Sequence, residues 1–234
     1  MSKVILASTI VLAGCGIGLR DEGPRELRTM HKDVAKTKAS EVQVELTMGA
    51  GEMELRGGSA KLMEGDFTFD VPSWQPEVRY EDSSFRGRLF VRQTEGGSGF
   101  HGNTKNEWKL RLADDVPMSL TVHLGAGESN LVIGTLTLRD VEVHIGAGRT
   151  EIDLRGEPKR SFAVQVRGGV GEAVIRVSHS AAVHAEASGG LGEIKVTGMD
   201  QDGKAWATPS YGKAKNSISL DVRGGIGSIR IDAE

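Results

Sequence analysis

Four side chains have the types needed for acid–base chemistry on a sugar and lie close together in sequence: Lys109, Arg111, Asp114 and Asp115. Hydrolysis of a glycosidic bond requires two facing carboxyl groups, about 5–5.5 Å apart for retention or about 6.5–9.5 Å for inversion. Adjacent residues of a strand point to opposite faces, so Asp114 and Asp115 converge only within a turn. The Val116-Pro117 that follows makes a turn the first reading of the Asp-Asp pair, with a glycan-active enzyme as the alternative. Two histidines, His123 and His144, occupy equivalent places in a repeat and would stack one coil apart. A zinc site needs three or four ligands, and no Cys or third His shares their position, so a solvated ladder is expected and no metal. Repeated Gly-x-Gly segments suggest a phosphate cradle, but that chemistry needs a helix to open directly after the glycines, and none of the segments is followed by a helical pattern. No catalytic residue and no cofactor is expected.

What the glycines position instead is an architecture. The chain has 32 glycines in 234 residues, about twice the ~7% usual in proteins, yet only 6 prolines and no every-third-residue period, which excludes collagen and proline-rich coil. With 38% hydrophobic and 26% charged residues the chain can bury a core. A net charge of -3 removes the basic field expected of a nucleic-acid binder, so no nucleic-acid partner is expected. Six segments align as one repeat: 46–51, 122–127, 143–148, 166–171, 187–192 and 222–227. Their fourth and sixth positions are always glycine: Gly49 and Gly51, Gly125 and Gly127, Gly146 and Gly148, Gly169 and Gly171, Gly190 and Gly192, Gly225 and Gly227. The last glycines of the final five lie 21, 23, 21 and 35 residues apart, and each segment leads into strand-like alternation such as Ile194-Lys195-Val196. The pattern predicts an all-β fold, a single-stranded β-helix or β-solenoid with coils of about 21–23 residues stacked ~4.8 Å apart. The glycines are expected at positive φ or where one coil closely approaches the next.

The third and fifth positions exchange bulk. They read Met48/Ala50, Leu124/Ala126 and Ile145/Ala147, then Gly168/Val170, Gly189/Leu191 and Gly224/Ile226. Residues two apart on an extended chain share a face, so both are expected to point inward and fill one slot with nearly constant volume. The second position (Thr47, His123, His144, Arg167, Ser188, Arg223) then faces out, as does the residue after the last glycine, where Arg149 stands between Glu128 and Glu172. The long final spacing maps to an insertion over 198–215 carrying Trp206 and Tyr211, either a partner contact or a cap on the open end.

The N-terminus carries a different message. Lys3 precedes an apolar run from Val4 to Ala13, too short to span a bilayer and suited to a signal peptide over 1–14. Leu12-Ala13-Gly14-Cys15 resembles the bacterial lipobox, which implies cleavage before a lipidated Cys15 and accounts for the single cysteine. Acylation at more than one point would hold the chain to a membrane. Gly16 rather than Asp after the cysteine favours the outer membrane by analogy with Gram-negative sorting. Residues 15–40 read as lipidated cysteine plus charged tether, and 41–234 as the solenoid, with 41–105 its N-terminal part and 106–234 its repeat coils.

Gly49-Ala50-Gly51-Glu52, Leu62-Met63-Glu64-Gly65-Asp66-Phe67, Trp74-Gln75-Pro76-Glu77-Val78, Asn106-Glu107-Trp108 and Asp114-Asp115-Val116-Pro117, followed by the stretch from Val122 to Leu154, together resemble the bacterial toast-rack proteins. The resemblance implies a β-helix similar to the C-terminal domains of LiaF-type envelope-stress regulators and to adhesin repeats, and it carries no catalytic residue. The expected function is a noncatalytic, lipid-anchored cell-envelope protein acting in adhesion or stress sensing. Its partners would be the membrane and an unknown envelope protein or glycan. The alternatives are the glycan-active enzyme above and a self-associating structural protein.

Overall fold

Each repeat segment folds as a long strand bent at its glycines. The structure is a computed structural model and describes residues 26–83, 85–94 and 104–234. Six strands carry the repeats: β2 (Glu41–Arg56), β7 (Met118–Val132), β8 (Leu138–Asp153), β9 (Phe162–Val177), β10 (Ala182–Thr197) and β13 (Ser217–Ala233). They stack in parallel and in register on both sides of the bend, so each strand serves two limbs of one continuous sheet. Leu46, Val122, Val143, Val166 and Val222 align across neighbouring strands, all buried. Burying each such side chain contributes about 1.5–3 kcal/mol, and the stack repeats this at several inward positions. The chain returns between coils through short segments in which Ile133, Leu136 and Leu154 close the interior.

The shorter strands finish the two limbs. On the first, β4 (Pro76–Ser83) and β5 (Arg86–Gln93) extend β2 at one end, and β12 (Ala205–Ala207) and β11 (Asp200–Asp202) extend β10 at the other. On the second, β6 (Asn106–Leu112), β3 (Met63–Phe69) and β1 (Arg28–Val34) extend β2. Together β5 and β6 amount to one more coil, interrupted at its corner by residues 94–105. Residues 95–103, a Gly-rich stretch between β5 and β6, lie outside the described residues. Gln93 and Asn106 flank the interruption and stand over the first repeat's corner: Gly49 N donates to Gln93 Oε1 at 2.9 Å, and Asn106 Nδ2 donates to the Ala50 carbonyl at 2.6 Å.

Three expectations change. The inward parity of β2 is even before the corner, at Val42, Val44, Leu46 and Met48, and odd after it, at Met53 and Leu55. Alternation therefore breaks at the bend, and the third and fifth positions do not share a face. The third is inward, whereas Val170, Leu191 and Ile226 are 54, 70 and 54% exposed. Gly168, Gly189 and Gly224 leave an apolar cleft of about 60 Å³ beside Ile194 and Ile229, and Val170 and Ile226 border that cleft rather than fill it.

Secondly, coil order departs from chain order, because β13 lies between β9 and β10. Val166 pairs with Val222, and Val222 with Ala187.

Thirdly, residues 28–34, within the stretch read as tether, form β1, an antiparallel edge strand on β3. Most of its side chains are exposed and only Met30 and Val34 reach the core. Backbone bonds hold it, so no apolar period betrays it.

Candidate functional site

The repeated feature of the molecule is the column of corners. Gly148 illustrates the sixth position: its φ is +132°, and a Cβ there would lie 1.9 Å from the Gly127 carbonyl oxygen. Gly146 illustrates the fourth, where a Cβ would lie 2.3 Å from the Gly125 oxygen without any positive φ. The two glycines of a corner thus answer different demands, close approach alone at the fourth and close approach with left-sided backbone at the sixth.

Outside the corners the sheet carries charged rows. On the second limb Glu107, Glu52, Glu128, Arg149 and Glu172 align across successive strands. Arg149 reaches Glu172 at 3.0 Å and Glu151, two residues along its own strand, at 2.6 Å. Glu151 also accepts from Arg176 at 2.9 Å. The Arg176 bond, then the Arg149 bond, hold the Glu151 carboxyl below its ordinary value of 4.5 against the opposing effect of burial. A lowered folded value gives stability that is full above the unfolded pKa and lost as pH falls through the folded one. Glu151→Gln is expected to cost under about 1 kcal/mol at pH 7. That difference should shrink progressively as pH falls below the ordinary glutamate range and through the lowered folded value. Urea unfolding of both proteins across that range checks this.

On the first limb, His123 and His144 stack with ring centroids 4.8 Å apart and 16° between planes. His144 Nε2 lies 2.9 Å from Glu142 Oε1. Among the described residues no group of three His, Cys, Asp or Glu side chains could hold a metal ion. Arg167 continues the row on β9.

The four residues considered for sugar chemistry have separate engagements. Lys109 pairs with Glu107 at 2.8 Å and Arg111 with Glu64 at 3.5 Å, on the face of β6. Asp114 and Asp115 lie in the turn before β7. Asp114 accepts from Thr135 Oγ1 at 2.7 Å, while Asp115 is 70% exposed and meets Lys36 at 2.6 Å. The Asp114 carbonyl also accepts from Lys159 and Thr137, so the turn ties neighbouring return segments together.

Trp206 sits half-buried on β12, paired with Ala185 of β10 and Gln201 of β11. Tyr211 is 44% exposed and rests against His184, ring centroids 5.1 Å apart. The insertion therefore lies along the first limb of β10. It is fastened there by the buried Thr208, whose Oγ1 donates to the Ala181 carbonyl at 2.6 Å and accepts from Val183 N at 2.9 Å. Cys15 lies outside the described residues. Among the described residues no helix is long and apolar enough to cross a membrane. What sequence reasoning missed is the apolar ladder of Val170, Ile226 and Leu191. Its signal was present, since the exchange of bulk between positions three and five marks where the outer surface turns apolar.

A sheet folded into stacked, glycine-cornered coils with charged rows on its outer face defines a β-solenoid. The chain belongs to the toast-rack family: residues 23–176 match the model of the N-terminal domain of toast_rack, DUF2154. The ladder of coils continues beyond that match through β10 and β13. A putative cell adhesion protein from Clostridium sporogenes has a similar crystal structure, with 29% identity and a TM-score of 0.85. The similarity covers 89% of this chain and 100% of that one. A putative adhesin from Bacteroides fragilis is 11% identical over 89% of this chain and 98% of its own, with a TM-score of 0.37. The Clostridium sporogenes protein is named for cell adhesion. No curated protein matches the chain.

Proposed function

We propose that the protein is a noncatalytic cell-envelope adhesin, tethered to a membrane by lipid on Cys15, whose stacked coils hold binding surfaces away from the bilayer. The observation that carries the reading is the similarity along the whole length of the Clostridium sporogenes protein, together with the lipobox-like Leu12-Ala13-Gly14-Cys15. A rigid solenoid with flat outer faces suits display, because each coil repeats the spacing of the last and offers side chains in rows rather than a closed pocket.

Expression of the full chain in bacteria fed an alkyne-bearing fatty acid tests the anchor. Label is expected on the wild-type protein in the membrane fraction, and Cys15→Ser should lose both label and membrane association. Label retained on Cys15→Ser, or a wild-type protein that fractionates without membrane, overturns the anchor. The adhesive role is read separately, by attachment of producing cells to glycan and protein-coated surfaces.

A further inference from the structure

The two limbs of β10 end differently. The first is covered by β12, which pairs with His184, Ala185 and Glu186. The second, Glu193–Thr197, pairs with β13 on one side and lies at the end of the sheet on the other. Exposed edges are usually protected by proline, inward charge or a covering segment. This one has no proline, and its inward residues are Ile194 and Val196. Ile194 is 37% exposed, whereas its neighbour Ile229, covered by β10, is 4% exposed. Leu191, just before the edge, is 70% exposed.

We infer that this edge is a homodimer interface, in which β10 of a second copy adds antiparallel to Glu193–Thr197 about a two-fold axis at Ile194. Register arithmetic selects that axis, since among two-fold centres along Glu193–Thr197 only Ile194 sets Glu193 opposite Lys195. A two-fold antiparallel pair places one residue opposite its own twin, and its flanking residues opposite each other. Centring on Glu193 or on Lys195 sets like charges face to face, which is destabilising. Centring on Ile194 sets Glu193 opposite the partner's Lys195 twice over, and buries Ile194 against its twin.

The charge next door points the same way. Lys195 is aligned with Arg230 on β13, so a partner directly opposite it that attracts its charge would come from the open side. Among the described residues neither Glu193 nor Lys195 enters an ion pair within the chain. Glu193 and Lys195 both point outward on one face, so the two cross-strand pairs form without burying a charge, while Ile194 and Val196 extend the apolar interior of each copy into the other. This association does not rest on the lipid anchor.

Charge exchange tests the pairing. Two differently tagged copies of the full chain are co-expressed, solubilised in mild detergent and recovered through one tag. Wild-type copies should co-purify, and Glu193→Lys or Lys195→Glu alone should weaken association about tenfold or more. Co-expression of one copy bearing Glu193→Lys with one bearing Lys195→Glu should restore it, because each lysine again meets a glutamate. Both side chains are exposed, and circular dichroism of each variant verifies the fold. Wild-type copies that stay apart, association indifferent to either single reversal, or no recovery in the mixed pair each overturn the interface. So does capture of an extended peptide by a chain that remains monomeric.

Discussion

Replacing Gly148 with alanine is expected to lower the unfolding free energy by about 4 kcal/mol. Two costs combine: about 1–3 kcal/mol for overpacking and about 1–3 kcal/mol for strained backbone. The new methyl would lie 1.9 Å from a backbone oxygen of the next coil, and backbone in a parallel ladder cannot turn aside as a flexible side chain can. The φ of +132° adds its own penalty for any residue with a Cβ. Gly203 provides the control. Its φ is +62°, but nothing lies within 4 Å of a Cβ built there, so Gly203→Ala should cost only ~1 kcal/mol. Urea unfolding of the two variants separates the terms. Equal losses would mean that coil-to-coil approach does not matter at the corner.

Trp108→Ala should cost about 3–5 kcal/mol, as for other large aromatic truncations in a core. The indole is fully buried and stands edge-on to Phe67, ring centroids 5.4 Å apart at 82°. Its Nε1 donates to Asn106 Oδ1 at 3.1 Å. Asn106 in turn donates to the Ala50 carbonyl and to Gln93 Oε1, so the ring orients the amide that covers the first corner. Trp108→Phe keeps most of the ring and loses the hydrogen bond, for an expected ~1 kcal/mol. Hydrogen exchange distinguishes a local role from a global one. The Gly49 amide, bonded to Gln93, should exchange faster in Trp108→Phe than in wild type while distant corners stay protected. Uniform change across all corners would remove Asn106 from that role.

The six glycine corners were legible because the chain writes them identically, and identical local chemistry must be satisfied identically in stacked coils. The orientation of position five was not. Counting by twos from Met48 to Ala50 assumes an extended chain, and the bend that the glycines themselves create shifts the inward parity between Met48 and Met53. Strand β1 escaped for the opposite reason, since Arg28, His31, Lys32 and Asp33 look like tether when its support comes from backbone pairing with β3. The turn that holds Asp114 and Asp115 was legible, because its signal at Val116-Pro117 is local. Coil order was not: the short link between Val177 and Ala182 gives no sign that another strand occupies the space between β9 and β10.

That interposed strand sets an order of assembly. In a solenoid whose coils follow the chain, each rung can dock as soon as it leaves the ribosome or the export channel, and growth spreads from neighbour to neighbour. Here Ala182–Thr197 has only the short β11–β12 hairpin to pair with, and no coil of the stack to join, until Ser217–Ala233 has paired with β9. Synthesis delivers the earlier segment first and the stack needs it last. The interval exposes Ile194 and Val196 together with both edges of their strand, and unpaired apolar edges of that kind invite misassociation. The residues of β13 therefore act as a keystone, closing the far end of the stack in one late, long-range step.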